Sequence, residues 1–214
     1  MNLNIPKRAF FNFAAPCPYR EDVPVLDGDL KEWDDRYLLP DLTAVEEKEA
    51  YADFYAAWND DGLFFAVQIN GASSLNVDSR RPQRSDGIQL WVDTRDVRNA
   101  HRASRYCHHF VFLPGKGRTK PLGRQFRIRR ARAQARLCDS GDLRVASKTV
   151  KPGYQMEIHL PKAVLTGFDP DENTRLGFTY LLRDKKLGRQ YWSANETVPV
   201  SYDPSLWGTL ELVK

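Results

Sequence analysis

Seven arginines lie between positions 118 and 136: Arg118, Arg124, Arg127, Arg129, Arg130, Arg132 and Arg136. A guanidinium presents a planar fork of donors that grips carboxylate, sulfate or phosphate through paired hydrogen bonds. If this stretch is a strand, alternation puts several of them on one face, with Arg127, Arg129, Arg130 and Arg132 as the candidate anion-binding set. The competing reading is a solvated surface balanced by acid elsewhere in the chain. Residues 115–151 hold twelve Lys/Arg against Asp139 and Asp142, whereas residues 1–75 hold six Lys/Arg against fourteen Asp/Glu. Such asymmetry speaks to partners rather than to fold. Nucleic acid is a poor partner, because only Phe126 interleaves with the basic residues, and single-strand binding needs aromatic platforms.

Other chemistry-bearing residues narrow the choice. In the run Ser85–Asp93, Ile88, Leu90 and Val92 share one face, and Gln89, Trp91 and Asp93 share the other. A flat ring beside an amide suits the C–H face and hydroxyls of a sugar. The alternative is that a loop or the N-terminal arm covers Trp91. The acidic group Asp27, Asp29, Glu32, Asp34 and Asp35 could ligate calcium together with backbone carbonyls, Asp27 and Asp29 foremost, although it lacks EF-hand spacing and also suits turn capping. The four histidines show no zinc spacing, and the neighbours His108 and His109 must point to opposite faces of a strand. Cys17, Cys107 and Cys138 read as buried thiols or as one Cys107–Cys138 bridge plus a free thiol. There is no G-x-S-x-G elbow, and nothing singles out a carboxylate pair for glycoside hydrolysis.

The elements that must position these residues are strands. Short period-two runs separated by turn residues recur along the chain: Tyr51–Trp58, Leu63–Asn70, Ser85–Asp93, Tyr106–Leu113, an imperfect arginine-rich stretch over 125–137, Leu143–Val150, Gly153–Leu160, Arg175–Arg183, Gln190–Ala194 and Trp207–Val213. Asn59-Asp60-Asp61-Gly62 joins the first two as a hairpin. The one helical candidate, Leu42–Ala50, is short. This pattern predicts two packed antiparallel sheets, an all-β sandwich of immunoglobulin-like or jelly-roll type. Hydrophobic residues at 42% exclude a disordered chain. No apolar run approaches the roughly 18 residues of a membrane span. The apolar patch 9–15 is broken by Asn12 and closed by Pro16, unlike a secretory signal, which makes the cytoplasm the default location.

Seven motifs then fall in a recognisable order: Val25-Leu26-Asp27-Gly28-Asp29-Leu30 with Glu32-Trp33; Ala57-Trp58-Asn59-Asp60-Asp61-Gly62-Leu63; Ser85-Asp86-Gly87-Ile88-Gln89-Leu90-Trp91-Val92-Asp93; Tyr154 to Pro161; Leu176-Gly177-Phe178; Tyr191-Trp192-Ser193; and Asp203-Pro204-Ser205-Leu206-Trp207-Gly208. Over residues 23–214 this order resembles the family 9 carbohydrate-binding modules and their wider DOMON-like relatives. Residues 1–22, before Val23, read as an arm lying on the sandwich. The resemblance implies a non-catalytic sandwich. It implies a sugar held on one sheet between two aromatic rings, often with structural calcium, in a family that is mostly extracellular. It also places Trp33, Trp58, Trp192 and Trp207 in structural positions. The chain departs from that pattern where the rings belong. Gln83 stands at one ring position and Ser201-Tyr202 at the other; Val111 replaces an arginine and Gln89 a glutamate. Some DOMON relatives bind haem through Met and His, but Met156 lies on the apolar face of its strand.

The expected function is therefore a carbohydrate-binding-like module with an altered or lost ring clamp, directed at anionic or modified glycans. Its groove would comprise Gln83, Arg84, Gln89, Trp91, Arg183 and Tyr202. A protein-interaction sandwich without sugar binding is the alternative, and a glycan hydrolase stands behind both. Calcium is the one cofactor in view, and the oligomeric state is open.

Overall fold

The computed structural model describes residues 5–71 and 74–214. Eleven strands run β1 (Ala14–Pro18), β2 (Ala52–Asn59), β3 (Gly62–Asn70), β4 (Gly87–Asp93), β5 (Cys107–Leu113), β6 (Leu122–Phe126), β7 (Arg144–Val150), β8 (Gly153–Pro161), β9 (Arg175–Asp184), β10 (Gly188–Tyr191) and β11 (Gly208–Val213). They form a seven-stranded sheet, ordered β1-β11-β9-β4-β5-β6 with β10 also on β9, and a four-stranded sheet, ordered β2-β3-β8-β7. The two-sheet sandwich is as the alternation predicted. All ladders are antiparallel except β1 against β11, where Ala14 pairs with Thr209 and Pro18 with Val213. Part of the expected N-terminal arm is thus an edge strand; its residues 1–4 lie outside the described ones.

The core follows directly from period two. Leu63, Phe65, Val67 and Ile69 of β3 face Ile88, Leu90 and Val92 of β4 and Phe178, Tyr180 and Leu182 of β9, all buried. Rings bridge the sheets: Phe65 stacks on Phe178 at 5.2 Å and Phe54 on Tyr180 at 4.2 Å. Each such ring contributes roughly 1.5–3 kcal/mol by leaving water. At the β2–β3 hairpin Gly62 holds φ +140°, and a Cβ there would lie 2.1 Å from the Leu160 carbonyl oxygen. Only glycine fits that turn.

Both outer faces are also covered. On the smaller sheet Phe64 and Ala66 lie under Trp33 and Tyr37. On the larger sheet Trp91 and Leu181 lie under Ala103, Ile128, Val200 and Trp207, contributed by three connecting segments. All five tryptophans are buried, including the four assigned to structural positions.

Two expectations are corrected. The predicted strand over 125–137 ends at Phe126. Beyond it the Gln134 amide donates to the Ile128 carbonyl at 2.8 Å and accepts from the Ile128 N–H at 3.2 Å, closing a loop with the backbone groups a ladder would need. Leu42–Ala50 is not an α-helix; a 3₁₀ turn covers Leu42–Glu46, capped by Asp41. Among the described residues no helix is long and apolar enough to cross a membrane.

Candidate functional site

Strand register brings four of the six expected groove residues to the start of β4. Gly87 pairs with Arg183 on β9, and Arg183 pairs in turn with Arg189 on β10, so both guanidiniums rise from one row of the sheet. Like charges directly opposite repel unless compensated. Arg189 is compensated by Glu196 at 2.6 Å. Arg183 and the exposed Arg84 have no ion-pair partner among the described residues. The turn before β4 supplies Gln83, whose carbonyl accepts from the Gln89 amide at 3.0 Å. Gln89 Oε1 lies 3.0 Å from His109 Nε2 and can only accept, so that ring nitrogen carries the proton.

Beside this row is a cavity of about 390 Å³ lined by Asn76, Arg84, Asp86, Arg183, Asp184, Lys185, Gly188 and Arg189. Asp86 spends both oxygens on backbone N–H groups, of Asn76 at 2.6 Å and Lys185 at 2.9 Å. Burial, and then the neighbouring Asp184, push its carboxyl above the ordinary range. Asp184 uses Oδ1 on the N–H groups of Lys186 and Leu187, while its buried Oδ2 has no hydrogen-bond partner. The cavity therefore offers the guanidinium donors of Arg84 and Arg183, while both carboxylates at its wall are turned to the chain. Guanidinium edges suit the hydroxyls and acidic groups of a polar ligand as donors. No aromatic ring lines it among the described residues.

Trp91 and Tyr202 lie elsewhere. Trp91 is 4% exposed and stacks on His109 with ring centroids 4.4 Å apart and planes at 4°. Its faces are thus taken, and the covered reading describes it. Tyr202 is half-buried, with the Arg130 guanidinium 5.5 Å above its ring and Arg130 Nη1 donating to its hydroxyl at 3.3 Å. Burial drives the pKa of His109 down to about 3 and that of His108 down to about 4, so both are neutral imidazoles holding amides. His108 Nδ1 accepts from Gln125 Nε2 at 3.0 Å on the core side of β5.

The arginine set is not one strand face. Arg127, Arg129, Arg130 and Arg132 fan outward from a loop in which Arg130 takes φ +63°. Calcium does not fit the acidic motif. Asp29 Oδ2 lies 2.9 Å from both Lys31 and Lys148, which hold its carboxyl down to about 2, and Asp27 Oδ1 caps the Asp29 N–H at 2.7 Å. No group of three or more His, Cys, Asp or Glu among the described residues could hold a metal. The cysteines are free thiols, so the Cys107–Cys138 bridge is absent. Asp184 and Arg189 were missed in the sequence, where they read only as the polar end of one strand and the start of the next.

The architecture is a two-sheet sandwich with a polar cavity built on strand ends. The chain belongs to the family described as carbohydrate family 9 binding domain-like, whose profile matches residues 30–214. This is a family of binding domains, not of catalysts. Among solved structures it is similar to a family 9 carbohydrate-binding module from Caldicellulosiruptor kristjanssonii in complex with cellotriose. That match has 18% identity and a TM-score of 0.61 and covers 94% of this chain and 93% of that one. The same organism's module in complex with glucose matches at 17% identity and TM-score 0.60, covering 93% and 95%. A putative carbohydrate-binding protein from Bacteroides uniformis matches at 10% identity and TM-score 0.55, covering 94% and 100%. At these identities the likeness is one of fold. No curated protein sequence matches the chain.

Proposed function

We propose that this protein is a non-catalytic carbohydrate-binding module that takes hydroxyl-rich glycans bearing acidic groups, and that it holds them at the cavity beside the start of β4. The observation that carries the reading is the pair Arg84 and Arg183, which line a cavity in a family of saccharide-binding folds and have no carboxylate partner among the described residues. Cellotriose and glucose complexes of similar modules support a saccharide as the ligand class. Polar contacts stand in for the ring clamp: Arg84 and Arg183 donate, and Gln89 fixes the turn carrying Gln83. Trp91 and Tyr202 take a supporting role beneath and beside the loops rather than stacking on the ligand.

A glycan array followed by calorimetry with cellotriose and an oligogalacturonate tests this. Binding should favour the acidic oligosaccharide, and Arg84→Gln with Arg183→Gln should weaken it about tenfold or more, the scale of losing charge-assisted hydrogen bonds. Binding to no neutral or acidic glycan, or undiminished binding by the double variant, would reject the reading and leave a protein-interaction sandwich.

A further inference from the structure

The opposite end of β4 carries a second concentration of positive charge, distinct from the cavity above. There a cavity of about 420 Å³ is lined by Arg95, Arg102, Arg105 and Arg132, with Asp93, Ser104, Tyr106 and Cys107 at its base. The four guanidiniums come from two segments far apart in sequence. Arg95, Arg102 and Arg105 belong to the β4–β5 connection, and Arg132 to the loop after β6. That loop is docked by the Arg132 N–H donating to the Ala103 carbonyl at 2.8 Å. The cavity is thus a product of the fold and not of a local run.

Three observations say that this charge is unspent. First, none of the four arginines is ion-paired among the described residues; Arg98 and Arg175, the nearby guanidiniums that are, both engage Asp96. Second, Asp93, the acid lining the cavity, is committed to the chain: Oδ1 accepts from the Arg95 N–H at 3.1 Å and Oδ2 from the Val97 N–H at 2.9 Å. Third, Arg95 and Arg105 are held on one ring, 5.0 Å and 4.9 Å from the Tyr106 centroid, and Arg105 Nη2 donates to the Tyr106 hydroxyl at 2.8 Å. Two cations held on one ring add their fields, so an anion that reaches the free edge of either gains from both. The stacking also leaves the edges of both guanidiniums with donors to spare.

We infer that this cavity is a binding site for a tetrahedral oxyanion, a sulfate or phosphate group, gripped by Arg95, Arg102, Arg105 and Arg132. A single carboxylate would neutralise one of the four guanidiniums, whereas a tetrahedral group offers several acceptor oxygens and, as phosphate, up to two charges. The site neither uses nor requires the glycan cavity at the other end of β4.

Calorimetry on the full chain with inorganic phosphate, inorganic sulfate, glucose 6-phosphate and acetate tests it. Phosphate and sulfate should bind more tightly than acetate. Arg105→Gln/Arg132→Gln should weaken phosphate about tenfold or more. Arg127→Gln/Arg129→Gln makes the same charge change outside the cavity and should alter binding less than about twofold, the screened surface effect. Arg105→Gln/Arg132→Gln made in the Arg84→Gln/Arg183→Gln background should weaken phosphate by the same factor as in the wild type, so failure of the glycan reading and failure of this one are separable. Equal affinity for phosphate and its sugar ester supports the site with a free anion as ligand; tighter binding of the ester supports it with the anion carried on a glycan. Equal losses in the Arg105/Arg132 and Arg127/Arg129 variants, or no heat with phosphate and sulfate from the folded wild type, would overturn it.

Discussion

Glu157 offers the sharpest test of how the acidic N-terminal motif is fastened to the sandwich. It is fully buried on β8, without a cation. Oε2 accepts from the backbone N–H groups of Asp27 and Gly28 at 3.1 and 2.8 Å, and Oε1 from Trp33 Nε1 at 3.0 Å. Glu157→Gln keeps the shape but supplies one acceptor oxygen instead of two. If that oxygen keeps the two backbone donors, the new NH₂ faces the indole N–H and strands it. A buried donor without an acceptor costs ~1–3 kcal/mol. Loss of charge assistance adds to this and relief of the buried charge subtracts, leaving a net loss of about 2 kcal/mol. For a domain of this size that is a fall in Tm of roughly 4–8 °C. A double-mutant cycle with Trp33→Phe isolates the contact, because the phenyl ring has no N–H to strand. Urea denaturation of the four proteins should show the double variant less damaged than the sum of the singles by ~1–3 kcal/mol. Additivity within ~0.5 kcal/mol would refute the assigned bond.

Two further outcomes are expected. His108 and His109 are depressed from 6.5 to about 4 and about 3, so their contribution is complete above the unfolded value and lost as pH falls below it. Tm should therefore drop between about pH 6.5 and 4, less steeply in His109→Phe, and identical slopes in the two proteins would contradict the assignment. Gly62→Ala forces a Cβ onto the Leu160 carbonyl and should cost ~2 kcal/mol or more by urea denaturation. Wild-type stability in that variant would mean that the hairpin turn relaxes freely.

The sandwich was legible because short apolar runs recur between turn residues, although several of them are buried on both faces. Ile88, Leu90 and Val92 could be read off directly, as could the Asn59–Gly62 turn. The stretch after Phe126 misled because arginine at near-regular spacing imitates alternation, while Ile128 is the single buried anchor and Gln134 consumes its backbone groups. β1 carries Pro16 and Pro18 and escaped notice; they are tolerated because it is an edge strand. The candidate site was only half legible. Gln83, Arg84, Gln89 and Arg183 follow from motif and strand position, but Arg189 and Asp184 depend on a hairpin register, and the four-arginine cavity on two loops meeting. Trp91 was ambiguous because strand parity fixes which face a side chain takes and not what lies over that face.

The parallel pairing of β1 with β11 bears on how the molecule is made. Its partners, Ala14–Pro18 and Thr209–Val213, are far apart in sequence, so this ladder closes only after all the intervening strands have been made. Until then the backbone of Arg175–Phe178 on β9 lacks the neighbour that β11 provides, and β1 lacks the ladder it makes with β11. A chain stalled or cut before β11 would present an open strand edge along β9, a template for pairing with another chain. The six residues of β11 therefore shield the β9 edge, and a chain without them is exposed to aggregation and to proteolysis.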